Sequence, residues 1–141
     1  MAYLWPGDDQ LENLHSLPRD RPVTMLNLLK FREQADYSGH PSEPPCTGRE
    51  AYRRYAEKAV ALVEKHGGRI VFSGAAGASV IGPDDENWDD VLLVEYPDPG
   101  AFFEMATSAE YQAFAYHRAA ALLDSRLIPC DTSRQSYLDA H

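Results

Sequence analysis

The chain has 141 residues, 44% of them hydrophobic, and its 13 basic and 22 acidic side chains give a formal net charge of -9. This predicts one globular domain over residues 1–141, with a core at about 21–130, and excludes a protein that neutralises nucleic-acid phosphates. The opening MAYLWPGDDQ lacks a basic segment followed by an apolar one, and no run approaches the roughly 20 apolar residues of a membrane span, so we expect a cytoplasmic protein.

The first predicted element is a short helix that covers an edge of the core. Asp8 or Asp9 can cap it, Pro18 stops it, and three leucines fall on one of its sides: Leu11, Leu14 and Leu17. The strand VTMLNLLKF, residues 23–31, follows this helical extension. After the strand comes EQADYSGHPSEPPCT, a Gly- and Pro-rich loop whose length is typical of a lid or binding loop.

Asn27 interrupts the apolar strand VTMLNLLKF. A buried amide costs free energy unless it is hydrogen-bonded, so Asn27 either holds neighbouring backbone or faces a binding cavity. It shares its strand face with Val23 and Met25. If that face meets the helices, Asn27 is a pocket residue. If it meets a partner subunit, Asn27 is a polar residue that fixes the dimer interface. We expect the pocket.

A capping box of Thr47 and Glu50 predicts the start of a long helix, which ends at Gly67 and Gly68. Two strands follow, RIVFSGAAGASVIG and WDDVLLVEY. Asp98 and Pro99 then begin a helix that is broken near Ser108, and RLIPC closes the chain's core as an edge strand. The order predicts an α+β, ferredoxin-like βαββαβ fold with a four-stranded antiparallel sheet.

Both faces of the predicted central strands are apolar. Odd positions of residues 23–31 include Val23 and Leu29, and even positions include Leu26 and Leu28. Two helices cover only one face of such a sheet, so the other face needs another surface. We therefore predict a homodimer whose sheets pack face to face in an isologous contact.

Several stretches resemble an uncharacterised bacterial family, domain of unknown function 1330, of the dimeric α+β barrel superfamily. They are PVTMLNLLKFR, AYRRYAEKA, GGRIVFSG, WDDVLLVEYPDPGAFFEM and SAEYQAFAYHRAAALLDSRLI, which cover most of residues 21–130. The resemblance implies the fold and the dimer but supplies no reaction. The superfamily includes cofactor-free monooxygenases, muconolactone-type isomerases, EthD-like proteins and haem enzymes, and its usual pocket lies between the sheet and its helices.

Arg118 falls in an apolar stripe of the last predicted helix, where a leucine would be expected. A buried guanidinium requires an anion. One alternative is a structural ion pair, with Glu95 as the best partner and Asp124, or Asp89 and Asp90, as others. The second is that Arg118 holds a substrate carboxylate or enolate. We place the ion pair slightly ahead.

Aromatic residues and one serine complete the set of candidate binding residues. Tyr52 and Tyr55 are expected in the core or in pocket walls, and Trp88 could close one end of a cavity. His117 borders the stripe that contains Arg118. Ser73 lacks a nucleophile elbow with a paired His and Asp, so it is expected to line the pocket and not to act as a hydrolase nucleophile.

No metal or cofactor is expected. Cys46 and Cys130 do not have metal-ligand spacing, and His66 and His117 have no second ligand near them in sequence. Glycines in FSGAAG do not match the dinucleotide or P-loop patterns.

Three functions remain open. The first is a cofactor-free monooxygenase or isomerase that binds a small apolar or aromatic acid, with Asn27 and Arg118 as catalytic residues that stabilise an enolate. The second is a protein that binds such an acid without turnover. The third is a structural homodimer in which Asn27, Glu95 and Arg118 form a closed network.

The last eleven residues, DTSRQSYLDAH, have the composition of a disordered tail. If the tail is ordered, we expect Tyr137 and Leu138 to dock it onto a partner subunit.

Overall fold

The computed structural model describes residues 2–131 and contains five helices and four strands in that range. The helices are α1 (Asp8–His15), α2 (Gly48–Lys65), α3 (Pro99–Thr107), α4 (Ala109–Phe114) and α5 (Tyr116–Ala121); the strands are β1 (Val23–Phe31), β2 (Arg69–Ala75), β3 (Asp90–Tyr96) and β4 (Leu122–Asp131). The strands form one antiparallel sheet in the order β2-β3-β1-β4. This confirms the ferredoxin-like βαββαβ prediction. Asp131, the first residue of the expected tail, ends β4, and the rest of that tail lies outside the described residues.

The odd-numbered residues of β1 face the helices. Val23 and Met25 pair with Tyr96 and Val94 of β3, and all four pack in a core cluster that includes Ala59, Leu62 and Val63 of α2. Leu29 belongs to a second cluster with Cys46, Ala51, Ala121 and Leu122. Asn27 has the same parity, so it also lies on the helix side of the sheet.

The opposite face of the sheet carries an apolar row that crosses all four strands. Leu26 pairs with Leu93 on one side and Ile128 on the other, and Phe72 pairs with Leu93 from β2. Phe72 is 52% exposed and Ile128 is 47% exposed. The prediction that both sheet faces are apolar is therefore confirmed.

The capping box of α2 forms as predicted. Thr47 Oγ1 accepts a hydrogen bond from the Glu50 N–H at 3.1 Å, and Glu50 Oε1 accepts one from the Thr47 N–H at 3.2 Å. Gly67, at φ 83°, follows the helix in the left-handed conformation that glycine adopts most readily. The predicted break at Ser108 is also present, because the Ser108 side chain caps α4.

Three predicted boundaries are wrong. Gly7 is the capping residue of α1, and its N–H donates to Gln10 Oε1 at 2.9 Å, so Asp8 and Asp9 lie in the first turn. β2 ends at Ala75, short of the predicted strand, and β4 begins at Leu122 and so precedes the predicted RLIPC. Among residues 2–131, no helix combines the length and the apolarity that a membrane crossing requires.

Gly48 allows close packing where α2 begins. Its N–H donates to the Arg32 carbonyl at 3.1 Å, and the Arg32 N–H donates to the Ala121 carbonyl at 2.8 Å. A Cβ atom at Gly48 would lie 2.7 Å from the Ala121 carbonyl oxygen and closer still to that of Arg32. Only glycine fits without a shift of the backbone.

We therefore expect Gly48→Ala to lower the free energy of unfolding by about 2–3 kcal/mol through overpacking. Urea denaturation followed by circular dichroism measures this change. Gly77→Ala is the matched control, because a Cβ there meets no atom within 4 Å, and it should change stability by less than about 0.5 kcal/mol. Equal unfolding midpoints for the two variants would contradict the packing argument.

Candidate functional site

A cleft of about 300 Å³ lies between one face of α2 and the helix side of the sheet. Its apolar wall residues come from α2 and from three strands: Leu29, Phe31, Ala56, Val60, Ile70, Val91 and Leu92. Its polar residues are Arg49, Tyr52, Arg53, Ser73 and Asp90. A mostly apolar cavity with a few polar groups is typical of a small-molecule site.

Two arginines from successive turns of α2 lie at this cleft. Arg49 Nη1 lies 3.3 and 3.4 Å from the two carboxylate oxygens of Asp90, and its guanidinium carbon lies 4.7 Å from the centre of the Phe31 ring. Arg53 is exposed and has no carboxylate within ion-pair distance among residues 2–131. Arg49 is therefore charge-compensated, whereas Arg53 makes no ion pair in that range and has a Coulombic interaction with Glu50 of the preceding turn.

Tyr52 is a hydroxyl-bearing residue of the cleft lining. Within the part of the chain that the structure describes, this hydroxyl has no hydrogen-bond partner. Burial raises the pKa of Tyr52 to about 12, and the positive charge of Arg118 opposes that rise. Tyr52 is thus protonated at neutral pH and is a hydrogen-bond donor. Ser73, from β2, is a second hydroxyl residue in the lining.

Asn27 lies beside the cleft and does not line it. It is 9% exposed, and its Nδ2 donates to the carbonyls of Met25 at 3.2 Å and Leu92 at 3.3 Å. Leu92 is itself a cleft residue. The amide therefore holds a wall of the cleft, while Asn27 Oδ1 accepts no hydrogen bond from the described residues.

The expected ion pair between Arg118 and Glu95 is wrong. Glu95 lies on the sheet face that points away from the helices, where its Oε1 pairs with Arg69 Nε at 3.0 Å. Arg118, from α5, lies on the helix side; its Nη1 donates to the Leu4 carbonyl at 3.2 Å and its Nη2 to Ser125 Oγ at 3.5 Å. The sheet separates the two charges.

The alternative acidic partners of Arg118 are also engaged elsewhere. Asp124 pairs with Arg126 at 2.8 Å, Asp90 pairs with Arg49, and Asp89 accepts a hydrogen bond from the Phe31 N–H at 2.8 Å. Among residues 2–131, Arg118 therefore has neutral oxygen partners and no carboxylate.

The remaining predicted residues do not line the cleft. The Tyr55 hydroxyl lies 2.9 Å from the Tyr111 hydroxyl, and the Tyr55 ring packs against Tyr52 with centroids 5.2 Å apart. Trp88 lies under the guanidinium of Arg126, 5.0 Å from its carbon, at the β4 edge. Of the predicted residues, only Tyr52 and Ser73 come together in the cleft.

His117 belongs to a separate polar cluster. It is 6% exposed, and the Tyr37 hydroxyl lies 2.7 Å from its Nδ1. Arg54 Nη1 donates to the Tyr37 oxygen at 3.2 Å, so Tyr37 can donate its own proton to an unprotonated Nδ1. The Nε2–H of this tautomer then faces Glu43 Oε1 at 3.9 Å.

Glu43 joins this cluster to the last helical segments. Its Oε1 accepts a hydrogen bond from the Tyr116 hydroxyl at 2.5 Å, and its Oε2 lies 3.5 Å from Arg54 Nη1. Tyr37 and Glu43 both come from the long loop after β1. The cluster therefore fastens that loop to α2 and α5.

Some site residues were not predicted from the sequence. Arg49 and Arg53 share the helical face of Tyr52 and Ala56, so their spacing was a usable signal. Tyr37 and Glu43 gave no such signal, because irregular loops have no periodicity from which a contact is deduced. Residues 2–131 contain no group of three or more His, Cys, Asp or Glu side chains arranged to hold a metal ion.

The topology and the helix-side cleft define an α+β protein of the ferredoxin-like class. Residues 45–128 match the family described as a domain of unknown function, DUF1330, and the chain belongs to that family.

Solved structures extend the comparison over nearly the whole chain. RPA0582, a protein of unknown function from Rhodopseudomonas palustris, is 34% identical, with a TM-score of 0.86 over 96% of this chain and 100% of that chain. At3g17210 from Arabidopsis thaliana is 12% identical, with a TM-score of 0.53 over 81% of this chain and 98% of that chain, and it shares the fold. No curated protein matches this chain significantly.

The His117 cluster predicts a pH-dependent stability. Burial lowers the pKa of His117 below its ordinary value of 6.5, so unfolding increases proton uptake at this site between the two values. The stabilisation by neutral His117 is full above pH 6.5 and is lost as the pH falls through the lowered pKa.

We expect the unfolding temperature of the wild type to fall more steeply between pH 7 and pH 5 than that of His117→Gln. Differential scanning calorimetry at several pH values measures the two slopes. Parallel slopes would show that the folded and unfolded states protonate His117 alike. Tyr37→Phe is the companion variant, because it removes the hydroxyl donor and leaves the imidazole in place.

Proposed function

We propose that this protein binds a small apolar or aromatic acid in the cleft between α2 and the sheet. The observation that carries the proposal is the pairing of a largely apolar cavity with a guanidinium that makes no ion pair among residues 2–131, that of Arg53, and with a hydroxyl residue, Tyr52, that has no hydrogen-bond partner in the same range. Such groups are what a carboxylate with an apolar body requires.

The walls favour a flat or branched apolar body. Leu29, from the sheet, is 2% exposed, and Val60, from α2, is 37% exposed, and both line the cleft. Burying apolar ligand surface against these residues contributes roughly 25 cal/mol per Å² before the costs of association. Seven apolar residues line the cleft, so this term is available to a ligand of one or two rings.

The polar groups favour a negative charge on that ligand. The chain as a whole carries a charge of -9 and would repel an acid, so the local arginines have to supply the attraction. Arg49 remains paired with Asp90, which leaves Arg53 to meet the carboxylate. Tyr52 is protonated at neutral pH, as any tyrosine with a pKa of 10 or above is, so its hydroxyl can donate to a ligand oxygen.

The test measures the binding of 2-naphthoate and of its neutral analogue 2-naphthamide by isothermal titration calorimetry. The acid should bind more tightly than the amide. Arg53→Gln should weaken the acid by about two- to fivefold, as expected for a partly solvated ion pair, and should leave the amide unchanged. Tyr52→Phe should weaken both ligands by about two- to tenfold through the lost hydrogen bond.

Lys58→Gln is the matched control, because Lys58 is an exposed cation on α2 that does not line the cleft. It removes the same charge and should leave both affinities unchanged. Equal weakening of acid binding by Lys58→Gln and Arg53→Gln would show that the loss comes from the lower positive charge of the protein and not from a contact at Arg53. Saturable binding that neither Arg53→Gln nor Tyr52→Phe alters would place the acid elsewhere.

A cofactor-free oxygenase or isomerase is the second candidate, and the protonated Tyr52 hydroxyl in an apolar cleft supports it. A hydrogen-bond donor in such surroundings stabilises an enolate oxygen as charge develops. Asn27 would act by holding Leu92, and Arg118 by its electrostatic effect on Tyr52. Oxygen uptake and isomerisation assays with catechols, quinols and lactones test turnover, which Tyr52→Phe should then reduce.

We further propose a homodimer formed through the apolar row Phe72–Leu93–Leu26–Ile128. The row spans the sheet and is left uncovered by the helices of residues 2–131, and a second copy offers the same row for a twofold contact. Leaving a patch of this kind in water is unfavourable.

We expect the wild type to sediment as a dimer at micromolar concentration and Phe72→Asp to sediment as a monomer. Val80→Asp introduces the same charge at a residue that is 98% exposed, in the β2–β3 loop, and should remain dimeric. Analytical ultracentrifugation distinguishes these outcomes. A monomeric wild type would contradict the interface.

A further inference from the structure

The segment of residues 2–6, here called the strap, lies across one end of β4. The Tyr3 N–H donates to Asp124 Oδ1 at 2.8 Å, and the Tyr3 carbonyl accepts from Ser125 Oγ at 2.5 Å. The next carbonyl, that of Leu4, accepts from Arg118 Nη1 at 3.2 Å. Three backbone groups from two consecutive residues of the strap thus bind to side chains of the core.

The Leu4 side chain is partly buried against apolar core residues. It packs on the core cluster that contains Leu29, Ala121 and Leu122, and Tyr52 packs on the same cluster. Leu29 and Tyr52 are also residues of the cleft. The strap therefore lies next to the cleft, and Leu29 and Tyr52 take part in both surfaces.

The hydrogen bonds that Arg118 makes are weaker than the ion pair that a guanidinium in this position favours. A half-buried guanidinium is best stabilised by a carboxylate, which binds through two parallel charge-assisted hydrogen bonds. In the described part of the chain, Arg118 has a backbone carbonyl at 3.2 Å and a hydroxyl at 3.5 Å. A free acid would satisfy it better than the strap does.

We propose that Arg118 and Ser125 form a carboxylate site that the strap occupies as an internal substitute ligand. The Leu4 carbonyl takes the place of the carboxylate, and the Leu4 isobutyl group takes the place of the ligand's apolar body. The neighbouring carboxylate of Asp124 does not block this site by repulsion, because it pairs with Arg126 at 2.8 Å.

The shape of Leu4 defines the ligand class. A short carboxylic acid with a branched aliphatic body reproduces both contacts, and 4-methylpentanoate is leucine without its amino group. The strap competes with such an acid, so the apparent affinity of the full chain equals the intrinsic affinity multiplied by the fraction of molecules in which the strap is released. This site rests on Arg118 and is independent of an acid bound at Arg53.

The experiment compares the full chain with a variant that lacks residues 2–6. The deletion should bind 4-methylpentanoate at least about tenfold more tightly, which corresponds to 1.4 kcal/mol. 4-Methylpentanamide should bind weakly to both proteins, because it lacks the charge. Arg118→Gln in the deletion background should abolish the gain, whereas Arg53→Gln should preserve it.

Leu4→Ser in the full chain provides a second route, should the deletion reduce stability. It weakens the apolar contact of the strap and should raise acid affinity by a smaller factor. In the wild type, saturating 4-methylpentanoate should speed hydrogen exchange of the Tyr3 amide and leave the Glu50 amide of the α2 cap protected.

Equal affinity of the full chain, the deletion and Leu4→Ser for the acid would overturn the proposal. So would equal binding of acid and amide, or a gain that survives Arg118→Gln. A gain that depends on Arg118, together with no effect of Arg53 on 2-naphthoate, would retain the strap-covered site and reject the cleft as an acid site.

Discussion

The pairing register of β1 with β3 and β4 is the constraint on which the rest of the structure depends. Successive residues of a strand point to opposite faces, so a shift of one residue would exchange the two faces. In the observed register Leu29 and Asn27 face the helices and Leu26 faces away. The cleft wall, the core clusters and the uncovered apolar row all follow from this one choice.

The sequence predicted this fold well because its signals were periodic and local. The capping box at Thr47 and the alternating strands are decided by neighbouring residues. Contacts between residues that are distant in the sequence were not predictable in the same way. The strand periodicity predicted which residues share a face with Asn27. It did not predict that this face meets the helices, because that depends on how α2 packs back onto the sheet. For the same reason Glu95 was assigned to Arg118, although the sheet lies between them.

Loops and distant segments account for the site residues that remained hidden. Leu4 meets Arg118 across 114 positions of the sequence, and Tyr37 meets His117 across 80. Neither contact has a spacing rule. Arg53 is different, since it lies one position from Tyr52 on a helix whose polar and apolar faces were both predictable. Its proposed role depends on the absence of an ion-pair partner among residues 2–131, which only the three-dimensional structure reveals.

Arg53 and Arg54 are consecutive on α2, and successive helical residues point about 100° apart. Arg53 therefore belongs to the cleft, while Arg54 reaches Tyr37 and Glu43. One turn of α2 thus presents one guanidinium to the cleft and ties the next to the loop after β1, so that loop is held without withdrawing a positive charge from the cleft.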